Sequence, residues 1–170
     1  MPYENWEIES YSESDALIIY ELLIKDNFKI MKDCGLNNDG GCIYDGNYKF
    51  LNGTDTVNYA NNTELNYYKV LLNDGSTIWF RGSDKVTIDI FYDVNGPKPP
   101  NQWGKDLFDL YGIGGKILPS GIPGAIHPFD VECKKTSIGY GCTAWVIYKG
   151  NIDYLHCDDL SWDGKQKCGK

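Results

Sequence analysis

Six cysteines constrain this chain more than any other feature of its sequence. They stand at Cys34, Cys42, Cys133, Cys142, Cys157 and Cys168, and consecutive members pair off at intervals of 8, 9 and 11 residues. Because there is no Cys-x-x-Cys motif and there are only two histidines, a disulfide framework is favoured over a zinc site. Among the connectivities that six cysteines allow, sequential pairing is the easiest to close. Each such disulfide would stabilise the fold by about 2 to 3 kcal/mol, which indicates an oxidising compartment.

The size and charge of the chain narrow its class further. Its 170 residues suit one domain with a real hydrophobic core. With 16 basic and 24 acidic side chains, the net charge of -8 opposes binding to phosphate backbones, so no nucleic acid is expected as a partner. No apolar run predicts a membrane span, and no segment has the pattern of a signal peptide. Because disulfide-rich chains are exported, we expect that a targeting segment was removed and that Met1-Pro2 is an artificial start.

The first predicted element is an N-terminal amphipathic helix. Ser12 suits the N-cap position, and an acidic residue follows three positions later. From Glu13 to about Asp33 one face is apolar at helical spacing and the opposite face is charged, and Gly35 is placed to end the helix. Three apolar side chains lie off the apolar face: Ile18, Ile19 and Leu22. They are expected either to lie at the surface or to contact a partner on a second side of the helix.

The next part of the chain predicts a loop and then strands. Residues 34–66 are rich in Gly, Asn and Asp, so they predict an irregular loop that Cys42 holds to the end of the helix. The sequence Asn73-Asp74-Gly75-Ser76 is a turn signal between two apolar runs and predicts a hairpin. Alternation of apolar and polar residues from Lys85 to Asp93 predicts a half-buried antiparallel strand.

The C-terminal part completes a single predicted domain over residues 1–170. A second hairpin is expected from residues 144–148 and 152–156, joined by Lys149-Gly150-Asn151. The sheet region then covers 67–157 and is followed by a C-terminal disulfide tail at 157–170. Because strands and helices do not alternate, the order predicts an α+β domain with an antiparallel sheet.

One loop, FYDVNGPKPPNQWGKDLF from Phe91 to Phe108, begins like a calcium-binding EF-hand. An EF-hand requires oxygen ligands, a glycine and a terminal acid at fixed positions. Counting from Asp93, the pattern fails at Pro97, Lys98 and Gly104. Four hard oxygen donors nevertheless remain around the bend: Asp93, Asn95, Asn101 and Asp106. They could fold about one calcium ion, or they could cap the backbone of a turn that holds no metal.

No motif in the sequence predicts catalysis. The glycine-rich stretch at 112–116 lacks the third glycine of a dinucleotide fingerprint and the Lys-Ser/Thr pair of a phosphate-binding loop. His127 and His156 lie outside recognised metal or catalytic motifs, and no Gly-x-Ser-x-Gly sequence supplies a nucleophile. We therefore predict that the protein is not an enzyme. A secreted hydrolase would require a pocket in which one of these histidines meets a carboxylate.

Three motifs, in this order, resemble bacterial type IV pilin-like proteins, the minor pilins and the pseudopilins of type II secretion. They are the hairpin LNDGSTI at 72–78, the loop at 93–108 and GYGCTAWVI at 139–147. The likeness runs from about Cys34 to Cys157. It departs from the family at Lys98-Pro99-Pro100-Asn101, and the family's processing motif with its long apolar N-terminal helix is missing.

The resemblance implies a pilin-like fold, in which the helix packs on an antiparallel β-sheet and disulfides brace the loops. It implies a structural subunit of a type IV pilus or type II secretion pseudopilus, which acts by filament assembly and surface contacts. Its partners would be other pilin or pseudopilin subunits, with the inner membrane contacted only through the missing helix and the filament extracellular or periplasmic. Some pseudopilins bind calcium in a C-terminal loop, which favours calcium as a cofactor between Asp93 and Asp106.

A secreted adhesion or carbohydrate-binding module is the alternative function. Aromatic residues make up 14% of the chain, and five of them lie near predicted turns or termini: Tyr67, Tyr68, Trp79, Trp103 and Trp162. Aromatic side chains of small β-rich domains more often belong to the core.

Overall fold

A six-stranded antiparallel sheet dominates the computed structural model, which describes residues 11–56, 61–84 and 87–169. Each strand pairs with the next one along the chain. The strands are β1 Ile30–Gly35, β2 Tyr68–Leu72, β3 Thr77–Asp84, β4 Thr87–Asp93, β5 Leu107–Ile113 and β6 Lys116–Pro119. The helices are short: α1 Glu13–Ile19, which continues as a π-helix over Tyr20–Ile24, α2 Phe129–Glu132 and α3 Thr143–Lys149. Single 3-10 turns cover Thr63–Leu65, Tyr140–Cys142 and Asp153–Leu155.

The predicted pilin-like fold, with a long helix over 13–33 packed on the sheet, is wrong. Ser12 caps the helix as predicted and accepts a backbone N–H at 3.1 Å, but the helical segment ends at Ile24. Residues that were predicted to continue the helix form β1 and pair with β2. The Tyr68 hydroxyl also donates to Asp33 at 2.9 Å and ties the two strands together. Pairing with β1 satisfies the backbone N–H and C=O groups of β2, which would otherwise lie at the edge of the sheet. This long-range pairing overrides the local helical pattern.

The helical segment buries a narrower face than predicted. Ala16, Ile19 and Ile24 are buried against the sheet, so Ile19 lies in the core although it was predicted to lie off the apolar face. Leu17 and Leu22 are exposed. The π-helical turn contributes to this difference, because its i→i+5 hydrogen bonds shift the residues after α1 away from α-helical spacing.

Both faces of the sheet carry a core cluster, as the two-residue period of a strand requires when each face is covered. The helix-side cluster joins the helical segment to β2, β3 and β4 through Val70, Ile78, Phe80, Ile88 and Ile90. The loop-side cluster joins the other face to the irregular segment after β1 through Ile43, Tyr48, Tyr67, Trp79, Trp103 and Leu107. The chain between β4 and β5 therefore starts from a region that is buried on both sides.

The first hairpin and the alternating strand are confirmed. The turn at 73–76 joins β2 to β3, with Leu71 opposite Thr77. The alternating segment forms β4 from Thr87 to Asp93, and its first two predicted residues, 85 and 86, lie outside the described residues.

The predicted second hairpin is wrong, because residues 143–149 form α3 and residues 153–155 a 3-10 turn. Gly150 ends α3 in the left-handed conformation, with φ of 65°, and donates to the Val146 carbonyl at 3.0 Å. The Trp145 indole N–H donates to Asn151 at 2.9 Å and fixes the exit of the chain. A short apolar run bounded by glycine does not by itself distinguish a buried helix from a strand.

Three disulfides are present: Cys34–Cys42, Cys133–Cys142 and Cys157–Cys168. They join cysteines that are consecutive in the sequence. A third core cluster surrounds the second disulfide, with Phe129 stacked on Trp145 at 4.2 Å between ring centres. The disulfides fit an extracellular or periplasmic protein. In the described part of the chain, no helix combines the length and the apolar composition that crossing a membrane requires.

Candidate metal site

The loop between β4 and β5 begins and ends with an aspartate. Asp93 is the last residue of β4 and lies opposite Leu107, the first residue of β5. The backbone N–H of Val94 donates to the Asp106 carbonyl at 2.8 Å, so the strand ladder continues one step into the loop. Antiparallel pairing therefore brings Asp93 and Asp106 side by side at the base of the loop.

The Asp106 carboxylate folds the far side of the loop back on itself. Its two oxygens accept the backbone N–H groups of Asn101 and Gln102, each at 2.7 Å. Asn101 has φ of 52°, a left-handed conformation that asparagine tolerates better than most residues. Asp106 is buried, so these two hydrogen bonds determine the shape of the turn from 101 to 106.

The Asp93 carboxylate is fully buried between the loop and the loop-side cluster. It accepts the backbone N–H of Asn95 at 3.2 Å and a long hydrogen bond of 3.4 Å from the Tyr48 hydroxyl. Within the described residues, neither Asp93 nor Asp106 takes part in a salt bridge. Two carboxylates thus share one buried region without a basic side chain to balance them.

The electrostatics of the pair follow from this arrangement. Burial, together with the negative charge of Asp106, raises the pKa of Asp93 to about 7, against the hydrogen bonds that it accepts. Burial also raises the pKa of Asp106, while its hydrogen bonds, including one with the Asn95 side chain, oppose the rise. The region therefore favours a positive charge, either a bound cation or a proton.

Two buried amide oxygens are available to a ligand. Among the described residues, no hydrogen-bond donor reaches the buried side-chain oxygens of Asn95 and Asn101. The side-chain nitrogen of Asn95 donates to the Pro99 carbonyl at 3.0 Å, so the side-chain oxygen of Asn95 stays available for another ligand. Buried oxygens without a protein donor are rare in folded proteins, and an ordered water or a bound ion explains them.

All four residues predicted as calcium ligands are therefore brought together: Asp93, Asn95, Asn101 and Asp106. Carboxylate and amide oxygens, with backbone carbonyls, are the ligands that Ca²⁺ takes in proteins. Among the described residues, no group of three or more His, Cys, Asp or Glu side chains is placed to hold a metal. This site has only two acids, so a cation here would depend on both asparagines.

Local sequence patterns do not indicate the other residues that shape the site. The loop is connected to the segment after β1 through Tyr48, Lys49 and Gln102. The backbone N–H of Lys49 donates to the Asn101 carbonyl at 3.0 Å, and the Lys49 carbonyl accepts the backbone N–H of Trp103 at 2.9 Å. The Gln102 side chain donates to the Phe50 carbonyl at 2.8 Å. These contacts join residues about 50 positions apart, so only the folded chain reveals them.

A further buried acid, Asp109, was also missed. It lies on β5, where burial raises its pKa to about 8 and the Ser120 hydroxyl donates to it at 2.5 Å. The Asp109 backbone N–H donates to the Thr143 hydroxyl at 2.9 Å. Through these hydrogen bonds Asp109 connects β5 with Ser120, which follows β6, and with Thr143 of α3. We therefore interpret Asp109 as a structural residue.

The described contacts of the two histidines are with residues outside the loop. His127 contacts Glu132 at 2.8 Å, and its ring meets the Tyr140 ring edge-to-face. This contact closes the short segment that enters α2. His156 is exposed.

The five aromatic residues of the carbohydrate-binding alternative are mostly core residues. Tyr67, Tyr68, Trp79 and Trp103 are buried, and Trp162 is half-buried beside Trp145. Comparison with known proteins gives no match to a family model, to a curated protein or to a solved structure.

Proposed function

We propose that this chain is a structural subunit of a bacterial filament, either a type IV pilus or a type II secretion pseudopilus, and that it acts by assembly rather than catalysis. The observation that carries the proposal is the 93–106 loop. Four residues of the loop motif that resembles pilin-like proteins are the ones that gather into the oxygen cluster: Asp93, Asn95, Asn101 and Asp106. The predicted long helix is absent, and residues 143–149 form α3 instead of a strand. The proposal therefore depends on this loop and on the hairpin at 72–78.

Calcium is the cofactor that the cluster fits. Ca²⁺ accepts a flexible set of carboxylate, amide and backbone oxygens, whereas Mg²⁺ demands near-ideal octahedral geometry and keeps several waters. When bound, the ion would supply the positive charge that Asp93 and Asp106 otherwise lack. Binding to the folded state alone would stabilise it by about 2.7 kcal/mol at 100 times the dissociation constant.

Exposed apolar surface supports contacts with other subunits. An apolar groove of about 560 Å³ lies between the first part of the chain, at Leu23 of the helical segment and Phe28 of the turn after it, and α3, at Val146 and Ile147. Leu17 and Leu22 on the helical segment are also exposed. Such a groove could receive apolar side chains of a neighbouring subunit.

Fractionation of surface filaments from the encoding bacterium tests the proposal. Filaments are sheared from cells, separated from free protein by sedimentation and probed with an antibody against this chain. We expect the chain to sediment with filaments, and a strain that lacks the gene serves as the control. Recovery of the chain only as free protein, with filaments present, would contradict assembly.

A further inference from the structure

The Cys133–Cys142 disulfide lies directly against the 101–106 turn, which contains two of the four candidate metal ligands. Both of its cysteines are buried. A Cβ atom placed on Gly104 would lie 2.9 Å from the Cys142 sulfur, so the bare backbone of Gly104 covers that sulfur. The Tyr154 hydroxyl donates to the Gly104 carbonyl at 2.7 Å and holds this cover in place. Solvent access to the disulfide on this side therefore depends on where Gly104 lies.

Trp103, the residue before Gly104, also contacts the segment that contains Cys142. The Trp103 ring meets the Tyr140 ring at 4.4 Å between centres, two residues before Cys142. A Cβ atom on Gly139 would lie 2.9 Å from the Trp103 carbonyl oxygen, so the two backbones are in close approach. Trp103 and Gly104 thus form a lid of two residues over the 139–142 segment.

The position of this lid depends on the oxygen cluster. Trp103 and Gly104 lie inside the turn whose ends are held by the Asp106 carboxylate, through the N–H groups of Asn101 and Gln102. Asp106 is two residues beyond Gly104, and the Gly104 N–H donates to the Leu107 carbonyl at 3.0 Å. Opening the turn would therefore remove the lid.

We infer that cation binding in the 93–106 loop controls the access of reductants to the Cys133–Cys142 disulfide. The inference rests on the calcium site of the proposed function. Calcium holds the turn closed and keeps Trp103 and Gly104 over Cys142; without it, the two buried carboxylates repel each other and the turn opens more often. Reduction then proceeds from the open form, so its rate follows the population of that form.

The other two disulfides provide internal references. Cys34–Cys42 is equally buried, but it is covered by Gly40, where a Cβ atom would lie 2.9 Å from the Cys34 sulfur. Cys157–Cys168 is half-exposed. Neither lies under the 101–106 turn, so calcium should change their reduction far less.

The test is the rate of reduction of each disulfide in the oxidised full chain, with calcium chloride or with a chelator. Samples taken during treatment with dithiothreitol are alkylated, and mass spectrometry measures the reduced fraction of each cysteine pair. With calcium at 100 times its dissociation constant we expect reduction of Cys133–Cys142 to slow by up to about 100-fold. Reduction of the two reference disulfides should change by less than about twofold, since we expect them to be reduced from local openings outside the turn, which calcium does not affect.

Two variants distinguish the effect of calcium binding from a general change in the stability of the fold. Asp93→Asn should abolish the calcium effect on Cys133–Cys142, and Asp158→Asn, which removes the same charge at an exposed position, should retain it. Calorimetric titration with calcium chloride is run on the same samples. Calcium binding without any change in the reduction of Cys133–Cys142 overturns this inference and leaves the calcium site standing. Absence of calcium binding overturns both.

Discussion

Asp74 and Asp93 accept the same local hydrogen bond, from the backbone N–H two residues later, in two connections of one sheet. In the β2–β3 turn, Asp74 accepts from Ser76 at 3.0 Å; in the β4–β5 loop, Asp93 accepts from Asn95 at 3.2 Å. Asp74 is exposed, and hydrogen bonds from the Ser76 side chain and backbone lower its pKa. Asp93 is buried beside a second acid, and burial raises its pKa.

The difference shows that burial, and not the turn motif, decides what an aspartate does at a strand end. Asp74 has water around it, so its own turn satisfies it and no further partner is needed. Asp93 has lost that water and faces Asp106, so the same hydrogen bond leaves a charge to be balanced. The β2–β3 turn with Asp74 is therefore a control for the β4–β5 loop with Asp93.

The largest effect is expected for Asp106→Ala. Loss of this carboxylate leaves the backbone N–H groups of Asn101 and Gln102 without acceptors, and each buried orphan donor costs about 1 to 3 kcal/mol. Urea denaturation in the presence of chelator should show a loss of about 2 to 5 kcal/mol. The matched Asp74→Ala variant should move the midpoint much less, because water replaces the lost hydrogen bonds. Equal shifts in the two variants would contradict the proposed role of burial.

The pH dependence of stability should come in part from Asp109. Its pKa is raised from 3.8 to about 8 in the folded state, so the folded chain holds a proton there that the unfolded chain has released. Its contribution to stability is therefore complete below about pH 4 and is lost as the pH rises to about 8. The loss should be on the order of 4 kcal/mol between about pH 5 and pH 8.

Asp109→Asn should remove this slope while calcium still stabilises the variant, because Asp109 does not belong to the oxygen cluster. Urea denaturation across the pH range measures both effects. An unchanged slope in Asp109→Asn would show that this carboxyl is not the group responsible.

A smaller effect of opposite sign is expected for Asp93→Asn without calcium. The change removes one of two facing buried charges but keeps an oxygen for the Asn95 N–H, so the metal-free protein should gain about 1 kcal/mol at about pH 8. Asp74→Asn should give no gain, since its charge is exposed and stabilised by hydrogen bonds. A loss of stability in Asp93→Asn under chelation would mean that the two carboxylates do not repel each other in the folded state.

The smallest change in stability is expected for Asn101→Gly. Glycine accepts the left-handed backbone of this position, so the metal-free protein should change by less than about 1 kcal/mol. Removal of an oxygen ligand should nevertheless weaken calcium binding about tenfold or more, which corresponds to about 1.4 kcal/mol. Calorimetric titration measures the affinity, and an unchanged dissociation constant would remove Asn101 from the ligand set.

Local features of this fold could be predicted because their signals lie within a few residues. The Ser12 cap, the turn at 73–76 and the alternation that forms β4 each depend on short-range hydrogen bonds or on side-chain period. The four oxygen donors of the loop were also found from sequence, because asparagine and aspartate around a proline bend are a local pattern.

The rest depends on residues that are far apart. β1 exists because Asp33 and its neighbours pair with Val70 and its neighbours, and the helical period of that segment carries no sign of this. The contact of Tyr48 with Asp93 and the burial of Asp109 likewise follow from packing of distant segments. The composition of α3 suits a buried strand as well as a buried helix, so only its tertiary contacts decide between them.

Thermal unfolding with calcium chloride or with chelator tests the central claim most directly. At calcium concentrations of about 100 times the dissociation constant, the melting temperature should rise by about 5 to 10 °C. The rise should disappear in Asp93→Asn and persist in Asp74→Asn, the acid of the exposed turn. Equal melting temperatures of the unmodified chain in the two buffers would contradict a calcium site in the 93–106 loop.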